Sequence, residues 1–364
     1  MEWRRLKLAH HKARQKEIIT IVVLIWCICI SGCSANKYEE HKREAFALDT
    51  IITLTAYGGK NVDKAIDEAI YRIQEIEEHM STTIDDSDIS KINKNAGKAP
   101  VIVHKDTLYV LDKALEYCSM SNGMFDITIY PLIKLWDIKS EHPRVPSAEE
   151  IQGALKYVDY KKIVVDRDKN SVYLMEKGMG IDLGAIAKGY AADEVTRIFK
   201  KYGIEHALIN LGGNIMAIGN KVDGSKWNID VQNPRTSKDN EGYFAVLEVS
   251  DSAVVSSGDY QRYMVKIYEE TGKRYHHIFD PKTGYPADKG IIATTVISPL
   301  SIDADALSTC LFVMGYEGFN IIDELEGVDA LLVSTDKKVT WNSLSSKGEK
   351  IRNRITKRVI NERK

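Results

Sequence analysis

The chain has 364 residues, enough for one large or two ordinary domains with a substantial core. With 44% hydrophobic and 28% charged residues it has the composition of a globular protein and not of a disordered one. The net charge of −2 becomes −6 once residues 1–33 are set aside, because they hold six Lys/Arg and two acids, and a mildly acidic body argues against nucleic acid as the main partner.

The first element is a basic segment to Lys16 followed by an apolar run, Ile18 to Ile30. That run is short for a membrane span but suits a signal segment. It ends in Ile30-Ser31-Gly32-Cys33, which resembles the lipobox of bacterial lipoproteins. On that reading residues 1–32 are a signal peptide, Cys33 carries the lipid, and residues 33–45 are a polar tether. The alternative is an uncleaved signal anchor. A lipid at Cys33 would hold the body to a membrane on its extracytoplasmic side. Cys27 and Cys29 fall in the signal segment, so Cys118 and Cys310 are the thiols of the body, read as buried core residues without disulfide or zinc spacing.

The body is read as one α+β domain over residues 46–346. Phe46 to Tyr57 is expected as a single strand stopped by Gly58-Gly59. Val62 to Met80 has helical periodicity, and a second helix runs from about Thr107 to Met120. Ser147-Ala148-Glu149-Glu150 is a capping box for a third helix. KKIVVD and SVYLM read as a hairpin. The segments from HALINLGGNIMAIG through AVVSSGDYQRYMVKIY and RYHHIFDP then read as mostly strands. ATTVISP is another strand, Ala304 to Met314 a helix, and DALLVS with VTW a final hairpin. Residues 347–364 form a basic tail.

Ile181 to Val195, IDLGAIAKGYAADEV, is the centre of this arrangement. It puts an acid (Asp182), a cation (Lys188) and two glycines (Gly184, Gly189) at the start of one helix, a place suited to phosphates or a metal. The spacing is not that of a phosphate-binding P-loop. Read locally, it is equally a glycine-softened strand-to-helix turn. Four further segments carry more polar and glycine residues than packing requires: Asn210 to Asn214, Val255 to Tyr260, His276 to Pro286, and Asp303 to Thr309. Asp305 and Thr309 are four apart, so a helix puts a carboxylate and a hydroxyl on one face, a hard-oxygen pair suited to Mg²⁺. A histidine just before the tight Asp280-Pro281 turn is a general-base candidate.

Together these segments resemble the ApbE-type FAD:protein FMN transferases. IDLGAIAKGYAADEV, LINLGGNIMAIG, VVSSGDYQRY, HHIFDPKTGYP, DADALST and MFDITIYPLIKLW are similar to that family's motifs, from about Phe46 to Trp341. The resemblance implies an α+β fold, a bilobed single domain of mixed or antiparallel sheets with flanking helices and FAD in a cleft between the lobes. It implies Mg²⁺ held by the Ala185 carbonyl, the Asp305 carboxylate and the Thr309 hydroxyl. Leu48, Thr83, Met124, Phe125, Asp126, Asp182, Lys188 and Phe279 would line the flavin nucleotide, with His277 as base and Asp305 essential. The implied reaction moves FMN from FAD to a Thr or Ser hydroxyl of an acceptor flavoprotein and releases AMP. An FAD pyrophosphatase and a non-catalytic flavin-binding lipoprotein are the rival readings. Two positions depart from the family pattern: Leu48-Asp49-Thr50 stands where Met-Gly-Thr is usual, and Thr83 where a Tyr is frequent.

Overall fold

The computed structural model describes Trp3, residues 38–235 and 242–342, and the backbone of 357–359. The remainder of the expected signal segment, Cys33 and most of the basic tail lie outside the described residues. Two units separate, residues 1–39 and residues 40–364. Among the described residues no helix is long and apolar enough to cross a membrane.

The first strands, β1 (Glu39–Ala47) and β2 (Thr50–Gly58), correct the expected single strand. They form a hairpin whose two-residue turn, Leu48-Asp49, has φ of 52° and 60°. The usual turn residues, glycine and asparagine, are absent, so nothing in the composition marked the break. The polar stretch read as a tether is strand from Glu39 onward.

Helix α1 (Val62–Met80) buries Val62, Ala65, Ile66, Ala69, Ile73, Ile76 and Met80, the stripe that its periodicity predicts. Then come α2 (Asp88–Lys94), β3 (Val101–Ile102) and α3 (Lys105–Met120). The segment with Pro131 contains a helix that periodicity did not suggest, α4 (Tyr130–Trp136), with the proline in its first turn. α5 (Ala148–Leu155) has the capping box of Ser147 and Glu150. The hairpin of β4 (Ile163–Asp166) and β5 (Ser171–Leu174) follows, then α6 (Ala187–Lys201).

β6 (His206–Leu211), β7 (Asn214–Ile218), β8 (Trp227–Gln232), β9 (Tyr243–Val249) and β10 (Ser252–Gly258) come next. Two expected strands fail here. MVKIY belongs to helix α7 (Val265–Thr271). RYHHIFDP makes only isolated bridges, Tyr263 with His276 and Phe279 with Pro286. Both segments have β-branched or aromatic residues but lack a continuous pairing edge, and tertiary context decides. The chain continues through β11 (Ile291–Ser298), α8 (Ser301–Met314), α9 (Phe319–Glu324), β12 (Asp329–Ser334) and β13 (Val339–Trp341). In the tail, β14 (Lys357–Val359) pairs with β9.

Eight strands form the main sheet in the order β1-β2-β6-β7-β10-β11-β12-β13. Its registers from β2 to β13 are antiparallel. α8 lies over β10 and β11, α6 lies against α8 and α1, and α1 covers β2. The opposite face of β10 and β11 is covered by the three-stranded sheet β14-β9-β8, through Val254, Ile297, Trp227, Ile229 and Leu247. All eight residues of β11 are buried, Thr294, Thr295 and Ser298 among them, so its burial does not alternate. Cys118 and Cys310 are free and buried, as their apolar helical settings predict, and burial pushes both thiols up.

Candidate active site

Three segments meet where α6 begins. The Asn93 side chain on α2 clamps Ile181, donating to its carbonyl at 2.9 Å and accepting its N–H at 2.7 Å. The next residue, Asp182, donates its N–H to the Ile127 carbonyl at 2.9 Å, which ties the stretch to the Met124–Thr128 segment. Asp182 Oδ1 then accepts the Gly184 N–H at 2.8 Å and turns the chain into α6. Burial pushes the Asp182 carboxyl up.

Helices α6 and α8 touch at Gly189. A Cβ there would lie 2.4 Å from the Ser301 carbonyl oxygen and 2.6 Å from Ile302 Cα. Only glycine permits this approach. It lets the Gly189 N–H donate to Asp305 Oδ2 at 2.9 Å. In a helix begun one residue earlier, that N–H would bond the Ala185 carbonyl. Donation to Asp305 leaves the carbonyl free of any backbone hydrogen bond among the described residues. Asp305 is 4% exposed, and its other oxygen faces Lys188 Nζ at 3.6 Å. Lys188 also donates to the Gly184 carbonyl at 2.8 Å.

One turn along α8, Thr309 sits within a hydroxyl cluster. Ser257 Oγ is 3.4 Å from Thr309 Oγ1 and 2.8 Å from Ser308 Oγ, while Thr294 donates to the Ser308 carbonyl at 2.8 Å. A carboxylate, a hydroxyl and a released carbonyl are oxygen donors that fit a small hard divalent cation. α8 itself is started by Asp193 of α6, whose two oxygens accept the N–H groups of Ser301 and Ile302 at 2.8 and 2.9 Å.

The two adjacent histidines have opposite environments. His276 is 4% exposed, donates from Nε2 to the Ala287 carbonyl at 3.1 Å and sits edge-on to Phe312. His277 is half-buried, and its Nδ1 lies 3.2 Å from the Arg262 carbonyl. A carbonyl only accepts, so Nδ1 carries the proton and Nε2 keeps the lone pair. Burial, with the cationic Arg262 and Lys188 nearby, lowers the His277 pKa to about 3. The ring is therefore neutral at physiological pH. Arg262 is held by Asp49, whose carboxylate takes Nη1 at 3.0 Å and whose backbone carbonyl takes Nη2 at 3.1 Å.

Residues 48–332 match the sequence profile of the ApbE family. The chain belongs to that family. Among its relatives is the FAD:protein FMN transferase of Treponema pallidum, 33% identical over 338 residues, covering 88% of this chain and 92% of the relative. The FAD:protein FMN transferase of Klebsiella pneumoniae is 34% identical, covering 77% of this chain and 86% of that one. The ApbE protein of Thermotoga maritima superposes with a TM-score of 0.76 at 32% identity, covering 85% of this chain and 98% of its own. The flavin transferase ApbE of Vibrio cholerae gives 0.75 at 26% identity, with the same coverage.

Within this ApbE-family fold the expected site residues divide. Lys188 and Asp305 meet across the α6–α8 contact, Thr309 stands one turn from Asp305 on α8, and Asp182 and Ala185 lie in the turn that leads into α6. Asp126 is adjacent: its Oδ1 accepts from Thr128 and its Oδ2 accepts the Tyr160 N–H at 3.0 Å. Phe125 is 3% exposed beside Tyr117, and Phe279 is 5% exposed in a cluster with Trp136 and Leu132. Met124 and Leu48 pack half-buried against the main core. Thr83 bonds Ser81 at 2.9 Å. Asn93, Asp193, Arg262 and Ser257 position the site yet were not selected from sequence. Asn93 lies in a polar, turn-rich stretch, and Asp193, inside the Ile181–Val195 stretch, has its partners on a helix more than a hundred residues later. Ser257 lies in the polar Val255–Tyr260 segment, and its partners Ser308 and Thr309 are on α8.

Proposed function

We propose that this ApbE-family flavin transferase moves the FMN half of FAD to a Thr or Ser hydroxyl of an acceptor flavoprotein, with Mg²⁺ bound by Ala185, Asp305 and Thr309. The observation that carries the reading is the α6–α8 contact: the Gly189 N–H donates to the Asp305 carboxylate, and the Ala185 carbonyl just before α6 takes no backbone hydrogen bond among the described residues. When bound, the cation supplies charge neutralisation at the diphosphate. Lys188, which donates to the Gly184 carbonyl and faces Asp305, binds phosphate oxygen. His277 Nε2 takes the proton of the acceptor hydroxyl, whose oxygen forms a bond to the FMN-side phosphorus. The bond from that phosphorus to the bridging oxygen breaks, and AMP leaves with the electron pair. The negative charge of FAD beside the ring raises the proton affinity of His277 from its low value in the free protein. Positioning and fixed charges provide most of the acceleration.

Attachment through Cys33 on the extracytoplasmic face of a bacterial membrane belongs to the same proposal. It is supported by the Ile30-Ser31-Gly32-Cys33 pattern, and loss of the membrane-bound fraction in Cys33→Ala is the expected result. The activity is tested by co-expressing the mature protein with a flavoprotein subunit and reading covalent flavin fluorescence in a denaturing gel. Asp305→Ala should give no labelled acceptor. Labelling at the wild-type rate with Mg²⁺ present would remove Asp305 from the mechanism. Rapid AMP release from FAD without any acceptor would instead favour the pyrophosphatase reading.

A further inference from the structure

The turn between β1 and β2 is built from residues that are unfavourable for it. Leu48 and Asp49 adopt φ of 52° and 60°, a region where Gly or Asn is the usual choice for two-residue hairpins. Glycine at residue 49 would remove that cost but would also remove both contacts to its side chain. The carboxylate of Asp49 accepts from Arg262 Nη1 at 3.0 Å and pairs with Lys139. Its backbone carbonyl accepts from Arg262 Nη2 at 3.1 Å, so the guanidinium is fixed at two points. The Arg262 carbonyl in turn accepts both the His277 backbone N–H at 3.1 Å and the ring Nδ1–H at 3.2 Å. Three segments far apart in sequence thus form one chain of contacts that ends on the imidazole.

We infer that Asp49 is a positioning residue for His277. By pinning the Arg262 side chain it holds the residue-262 carbonyl against Nδ1–H, which keeps the Nε2 lone pair facing the reacting hydroxyl. It also supplies a counter-charge to the guanidinium of the residue whose backbone carbonyl contacts the ring. This rests on His277 acting as the base in the transfer proposed above.

Asp49→Gly is the test, because glycine suits the turn and the variant should fold at least as stably as wild type. Asp49→Asn is the companion, keeping a left-handed-tolerant residue and the backbone carbonyl while losing the charge. The pair with Arg262 is half-exposed, so the loss in kcat should be roughly two- to fivefold, with KM for FAD unchanged. ¹⁵N chemical shifts of the His277 ring should show the Nδ1–H tautomer in wild type and a mixture of tautomers in Asp49→Gly. Wild-type kcat together with an unchanged tautomer in both variants overturns the inference. His277→Ala separates the two claims. If it labels acceptor at the wild-type rate, the base assignment fails, while the tautomer readout still reports on Asp49.

Discussion

The α6–α8 contact makes Gly189→Ala the most informative single change. A methyl at that position meets the Ser301 carbonyl oxygen at 2.4 Å and Ile302 Cα at 2.6 Å, both backbone atoms that no rotamer can move. Ordinary contact begins near 3.4 Å, so the helices must part by about 1 Å. Overpacking of this kind costs ~1–3 kcal/mol. Separation also breaks the Gly189 N–H bond to the buried Asp305 carboxylate, worth ~1.5–3 kcal/mol. Alanine returns up to ~1 kcal/mol in helix propensity. The net loss is about 2–5 kcal/mol, or a fall in Tm of roughly 5–10 °C in thermal unfolding. Transfer should drop by about 10²-fold, because Asp305 and Ala185 lose their mutual placement. Gly153→Ala is the control: this helical glycine has open space around its Cβ and should be neutral or slightly stabilising. Wild-type stability and transfer in Gly189→Ala would refute the argument that close helix approach places Asp305.

The remaining predictions concern protons and hydroxyls. His277 has its pKa lowered from 6.5 to about 3, so its ring resonances should not titrate between pH 5 and 8 in the free protein. The sign for stability follows: between about 3 and 6.5 the unfolded chain binds the extra proton, so this group costs stability as pH falls through that window. A His277→Gln variant should lack that contribution in urea titrations at pH 4.5 and 7. Asp193 behaves oppositely, with burial raising its pKa from 3.8 to about 6. Its contribution is complete below 3.8 and is lost as pH rises through about 6, so wild type should weaken relative to Asp193→Asn across that interval. Ser257→Ala removes the partner of Ser308 and Thr309, and should raise the Mg²⁺ concentration for half-maximal transfer about tenfold, measured beside unchanged far-ultraviolet circular dichroism.

Much of the local structure was legible in the chain. The helix from Val62 to Met80 follows from a period near 3.6 in its apolar residues, and the capping box at Ser147 and Glu150 needs only three residues of context. Asp305 and Thr309 share a face because they are one turn apart on one helix. These are near-neighbour effects, and the sequence carries near-neighbour information directly. Family membership was legible too, because it rests on the order of motifs.

What the sequence left open depended on partners far along the chain. The hairpin at Leu48-Asp49 has no glycine or asparagine, and its turn contacts Arg262 and Lys139 from distant segments. RYHHIFDP has strand-like residues, yet no neighbour offers it a continuous edge. The Tyr160 N–H that Asp126 accepts and the Trp136 ring beside Phe279 lie on segments that local pattern does not connect to them. Gly189 is the clearest case. In the sequence it marked flexible backbone at a helix start, and in the fold it is the gap through which α8 approaches α6. Composition and periodicity determined which elements form and which residues carry reactive groups. Only tertiary packing decided which of those groups meet, because steric contact between distant segments leaves no periodic trace in either one.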